Sequence, residues 1–239
     1  MARHGNPTRD LMDFHRYAVY FTPPEGEFAA LGAAWLGWDC ARGCAVAHPE
    51  VPGLPAPVAE ITETPRKYGL HATIKPPFAL AEGQGEAGLI GAFERFCAGE
   101  AAVTLAGLEI AALGRFLALV PVGDQGGLNG LAARAVAAFE PFRAPLTEAQ
   151  LARRRAGGLT PAQDAHLLRW GYPYVMEEFR FHITLTGKRP KAELPVIKAA
   201  LDARLGPIVP RPFQIDALSL VGEDRQGRFH VLHRHTLTA

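Results

Sequence analysis

Apolar positions along the chain follow two alternating periods. Residues 16–21 read as a strand and lead into an apolar helix over 28–36. Past residues 71–74, Leu89, Ile90, Phe93, Phe96 and Cys97 fall at helical spacing and predict a helix over 86–98. Two strand-like runs follow, 103–111 and 116–122. The same order then recurs. Past residues 182–185, Leu194, Ile197, Leu201 and Leu205 form the stripe of a helix over 193–205, and strand-like runs cover 213–221 and 229–237.

The recurrence is a repeat. Gly114-Arg115-Phe116 lies 43 positions after His71, and the identical tripeptide Gly227-Arg228-Phe229 begins 45 positions after His182. The strand 16–21 with its helix 28–36 corresponds to the strand 116–122 with a helix over 128–139. Each unit is therefore strand, helix, His-x-Thr strand, helix, strand. Two such units predict an α+β fold with two pseudo-symmetric lobes, each an antiparallel sheet with helices on its outer face, the sheets facing a central cleft. The lobes interleave in one domain over residues 14–239, with residues 1–13 expected to be a flexible tail. The second unit carries an insertion at about 146–170. Thr160-Pro161, a cap followed by a first-turn proline, predicts one of two short helices there. They are expected to cover one end of the cleft.

Composition narrows the class. With 239 residues, 48% of them hydrophobic, the chain can bury a substantial core. A net charge of +1 gives no general basic field for gathering long nucleic acid. Three cysteines, Cys40, Cys44 and Cys97, fit reduced thiols better than a disulfide framework. No apolar run approaches membrane-span length and none at the N-terminus has signal-peptide length, so a cytoplasmic protein is expected.

The chemistry concentrates at His71-Ala72-Thr73 and His182-Ile183-Thr184. Strand alternation puts His71, Thr73 and Lys75 on one face and Leu70, Ala72 and Ile74 on the other. Likewise Arg180, His182, Thr184 and Thr186 oppose Phe181, Ile183 and Leu185. No acidic residue occurs over 64–81 or 179–192, whereas both stretches hold several Lys and Arg. That local charge suits an anion, and carboxylates are scarce where a divalent metal would want them. Two imidazoles and two hydroxyls suit acid–base chemistry at a phosphodiester, with one ring taking a proton, the other giving one, and the threonines holding phosphate oxygens. Lys75, Arg180 and Thr186 are candidate substrate ligands. Tyr172 and Tyr174 could stack on a base or ribose. Tyr68 is expected in the core unless the chain bends at Gly69. The Arg153–Arg155 run could reach for a phosphate, although a short charge run is usually a solvated helix face, and His230, His233 and His235 lack the geometry of a metal site.

A lone His-x-Thr carries almost no information; equivalent positions in a repeat carry much more. With them, the chain resembles the 2H phosphoesterase superfamily, whose members have a duplicated lobe and one His-x-Thr/Ser motif per lobe. The runs PRKYGLHATIKPPF (65–78) and RWGYPYVMEEFRFHITLTG (169–187) resemble more narrowly a bacterial branch found as a phosphonate-metabolism operon protein. The resemblance implies His71, Thr73, His182 and Thr184 as the catalytic and phosphate-binding set, with no metal and no cofactor. It implies hydrolysis of a cyclic phosphodiester in a small partner, a cyclic nucleotide or cyclic phosphosugar ranking ahead of an RNA end. The competing expectation is a nucleotide- or RNA-binding regulatory module without turnover.

Overall fold

The computed structural model describes residues 13–239. All but the last residue of the expected 1–13 tail lies outside them. In chain order the elements are β1 (Arg16–Phe21), α1 (Glu27–Leu36), β2 (Trp38–Asp39), β3 (Cys44–Ala45), α2 (Val58–Ile61), α3 (Glu63–Arg66), β4 (Ala72–Phe78) and α4 (Glu86–Ala98). Then come β5 (Val103–Leu105), β6 (Gly107–Leu113), β7 (Phe116–Val122), α5 (Gly126–Ala138), α6 (Glu148–Arg155) and α7 (Pro161–Trp170). The chain ends with β8 (Ile183–Thr184), α8 (Leu194–Leu205), β9 (Phe213–Ile215), β10 (Ala217–Glu223) and β11 (Phe229–Thr236).

Seven strands form one antiparallel sheet in the order β11-β10-β1-β4-β8-β7-β6. This order is nearly palindromic. Repeat equivalence matches β4 with β8, β1 with β7 and β10 with β6, so a pseudo-twofold axis passes between β4 and β8. Each repeat lends its last strand to the other half, which interleaves the lobes. The two half-sheets meet edge to edge through a single residue pair, Ala72 and Ile183. The runs 103–111 and 213–221, expected as single strands, each break once, at Ala106 and at Asp216. Their first parts pair with each other as the β5–β9 ribbon and tie the halves together; their second parts join the main sheet.

Helices α1, α4, α5 and α8 cover one face. Their stripes, including Trp35, Phe93, Leu131 and Ile197, join Val19, Phe21, Ala72, Ile74 and Ile183 in the main core. Burying a large apolar side chain contributes about 1.5 to 3 kcal/mol, so both motif strands are pinned from behind. The insertion forms two helices as predicted, each opened by a capping box: Thr147 with Gln150, and Thr160 with Gln163. No helix among the described residues is long and apolar enough to cross a membrane.

Candidate active site

Both motifs lie in the middle of the sheet on the face without the main helices. The Ala72–Ile183 pair sets the register, which puts His71 across from Thr184 and Thr73 across from His182. Because alternate side chains share a face, the four polar residues line one cleft of about 670 Å³.

The two histidines are held alike. His71 Nδ1–H donates to the Gly69 carbonyl at 3.1 Å, and His182 Nδ1–H donates to the Arg180 carbonyl at 2.8 Å. In both motifs the acceptor lies two residues upstream, and in both the bond leaves Nε2 free for chemistry in the cleft. Thr73 Oγ1 approaches His71 Nε2 at 3.4 Å.

Their surroundings differ. His71 is 9% exposed, with the Tyr20 ring at 4.2 Å and the Tyr68 ring at 5.2 Å. Burial, opposed by the Gly69 carbonyl and reinforced by His182, lowers its pKa to about 4. His182 is only partly buried, with Phe116 at 6.1 Å. The register explains the difference. Tyr20 stands beside Thr73 on β1, and its repeat equivalent beside Thr184 on β7 is Ala118, whose methyl covers no neighbouring ring.

The remaining candidates divide. Tyr172 and Tyr174 line the cleft and meet edge to face at 5.7 Å. Arg180 lines it too, with its guanidinium donating to the Glu177 and Phe179 carbonyls at 2.7 and 2.6 Å. Thr186 borders the cleft but is 1% exposed, and its Oγ1 accepts from the Leu117 N–H at 2.9 Å, which fixes the chain after β8 to β7. Lys75 departs from expectation. Phe21–Ala72 and Tyr20–Thr73 pair in one register, but Val19 pairs with Lys75. This bulge inserts one residue and resets the alternation, so Lys75 does not share the face of His71 and Thr73. Its Nζ donates to the Val136 carbonyl at 2.9 Å and to Glu140 at 3.3 Å.

Tyr68 also departs from expectation. Gly69 has φ +70°, and a Cβ there would come within 3.0 Å of Cys40 Sγ. The chain bends at this glycine and turns Tyr68 into the cleft, stacked on Phe229 at 5.0 Å. Sequence reasoning missed Tyr20 and Arg16, although they alternate on the strand beside β4. Arg154, whose run reads more readily as a solvated helix face than as a phosphate ligand, instead lies 4.9 Å over the Tyr172 ring and lines the cleft. His230 is buried and paired with Asp224, and His233 is paired with Glu94. Among the described residues no group of three or more His, Cys, Asp or Glu is placed to hold a metal ion.

Fold and site together define a duplicated α+β protein in which each half supplies one His-x-Thr pair to a shared cleft, the two-lobed architecture that the superfamily resemblance implies. The chain belongs to the family described as DUF1045, protein of unknown function, which matches residues 73–230. It is 41% identical over 218 residues to a protein of Janthinobacterium sp. (strain Marseille) called ribose 1,5-bisphosphate phosphokinase PhnN, covering 89% of this chain and 48% of that one. A protein of the same name from Laribacter hongkongensis (strain HLHK9) is 38% identical over 214 residues, covering 89% and 49%. The chain spans about half the length of these curated relatives. Similar solved structures include TT0787 of Thermus thermophilus, with TM-score 0.44, 17% identity and coverage of 94% and 98%. Another is E. coli LigT complexed with NADP+, with TM-score 0.42, 16% identity and coverage of 95% and 99%.

Proposed function

We propose that the protein is a metal-independent phosphoesterase that hydrolyses a cyclic phosphodiester of a small nucleotide or phosphosugar. The observation that carries this reading is the matched tethering of the two imidazoles, each by Nδ1–H to the carbonyl two residues upstream, with both side chains lining one cleft. A binding module has no need of two proton-transfer groups held alike.

His71, kept neutral by burial, takes a proton from water through Nε2. The water oxygen forms the new bond to phosphorus, and the bond to one ester oxygen breaks. His182, the more open of the two, gives its proton to the departing oxygen. Thr73 and Thr184 donate to the non-bridging oxygens, where negative charge grows. A ring diester and a water give one phosphomonoester, and a proton passed back from His71 to His182 through solvent resets the pair.

The curated relatives are named for a kinase of a phosphorylated ribose. That supports a small phosphosugar ahead of an RNA end; a place in phosphonate metabolism follows only from the resemblance of residues 65–78 and 169–187.

The test is turnover of a panel of 2′,3′-cyclic nucleotides and a ribose 1,2-cyclic phosphate, before and after EDTA. His182→Ala is expected to lower kcat by about 10² to 10⁴-fold, and EDTA is expected to change nothing. Loss of activity on chelation would refute the metal-free mechanism.

A further inference from the structure

Beside the cleft lies a second, smaller pocket of about 60 Å³. The two share a wall, because Arg16, Pro76, Pro77, Arg154 and Tyr172 line both. The small pocket is rich in positive charge: Arg16, Lys75, Arg143, Arg153 and Arg154 all line it.

Few carboxylates answer those cations. Arg16 is paired with Glu223 at 2.5 Å. Lys75 and Arg143 share one carboxylate, Glu140, at 3.3 and 2.6 Å. Arg154 has no hydrogen-bond acceptor or carboxylate among the described residues; its guanidinium rests on the Tyr172 ring. Burial, with Arg153 and Arg16 nearby, pushes that guanidinium below its ordinary value. A half-buried guanidinium beside like charge is costly to hold unless an anion joins it, and a guanidinium fork suits phosphate oxygens.

We propose that this pocket is a second phosphate subsite, which binds a terminal phosphomonoester of the substrate through Arg154 and Arg16 while the reacting diester sits between His71 and His182. The substrate is then a small molecule with two phosphoryl groups, one a cyclic diester and one a monoester at the far end of the sugar. The substrate geometry rests on the hydrolase reading above, whereas the anion subsite does not. The pocket has room for a phosphate-sized group but not for a sugar or base, so it selects the charged end and leaves the ring in the cleft with Tyr172 and Tyr174. The inserted helix α6 thereby sets specificity by supplying Arg154.

Two measurements separate the subsite from the hydrolase reading. Calorimetric titration with ribose 5-phosphate, which has no diester to hydrolyse, is expected to show binding that weakens about 10- to 100-fold in Arg154→Ala. Arg154→Lys should recover part of it, and His182→Ala should retain it. No binding to the unaltered protein, or binding lost in His182→Ala but kept in Arg154→Ala, would overturn the proposal.

The second measurement compares kcat/KM for matched cyclic phosphates with and without a terminal phosphate. The unaltered protein is expected to prefer the phosphorylated member, and the preference to shrink about 10-fold or more in Arg154→Ala, mainly through KM. Equal turnover of both members overturns the subsite. Turnover of neither member, with ribose 5-phosphate still bound through Arg154, overturns the hydrolase reading and supports the subsite.

Discussion

If burial sets the charge state of His71, its imidazole should stay neutral far below the ordinary range. Its pKa falls from 6.5 to about 4. Each tenfold change in proton affinity corresponds to about 1.4 kcal/mol, so the interval amounts to about 3 kcal/mol. The unfolded chain takes up this proton between pH 6.5 and 4, while the native state does not. The contribution to stability is therefore fully present above pH 6.5 and is lost as pH falls to about 4.

Other groups titrate in that window, so the informative quantity is a difference. Urea unfolding of the unaltered protein and of His71→Gln, from pH 7 to pH 4, should give a gap in unfolding free energy that shrinks by about 3 kcal/mol in favour of the variant. An NMR titration of the imidazole carbons should place the His71 midpoint near the same low pH. Tyr68→Ser, which opens one side of the ring, should raise that midpoint toward 6.5. A midpoint near 6.5 in the unaltered protein, with a pH-independent stability gap, would refute the burial argument and with it the assignment of His71 as the base.

Two further outcomes follow from the same strands. Gly69→Ala forces a non-glycine residue to φ +70° against Cys40; it should cost about 1 to 2 kcal/mol, a fall of about 2 to 8 °C in Tm, and slow turnover by shifting the carbonyl that holds His71. A loss within error in both would show that the bend is not strained. Burial, opposed by Glu140, lowers the Lys75 pKa from 10.5 to about 8. Between those values the unfolded chain holds a proton the native state has lost, so stability relative to Lys75→Met should rise by about 3 kcal/mol from pH 8 to pH 10.5; a flat difference in unfolding free energy would contradict the buried placement.

The repeat, its helices and the shared facing of His71, Thr73, His182 and Thr184 are legible in the sequence, because period-2 and period-3.6 patterns report which side of an element is apolar. What escapes such reading is whatever interrupts a period. A bulge beside Val19 turns Lys75 off the face of Thr73, and nothing in the apolar pattern marks it. Breaks at Ala106 and Asp216 divide two apparently continuous strands, because the ribbon β5–β9 needs partners from both halves. The bend that brings Tyr68 to His71 has a signal, Gly69, but its consequence depends on the approach of Cys40. Helices α2 and α3 are one turn long, too short for any periodic signature.

The duplicated framework poses a chemical difficulty that a single substitution in the repeat relieves. Two imidazoles tethered alike in equivalent strands would tend toward the same proton affinity, whereas the proposed reaction needs one unprotonated and one protonated at the same moment. The asymmetry does not come from the histidine and threonine of each motif, which match, nor from the backbone bond, which both imidazoles make. It comes from the neighbouring strands, where Tyr20 on β1 covers His71 and Ala118 occupies the equivalent place on β7. The mutual repulsion that further lowers His71 is strongest when His182 carries the proton. Burial of His71 under Tyr20 thus sets the two imidazoles apart within a symmetric fold, which is the asymmetry that the proposed acid–base pair requires.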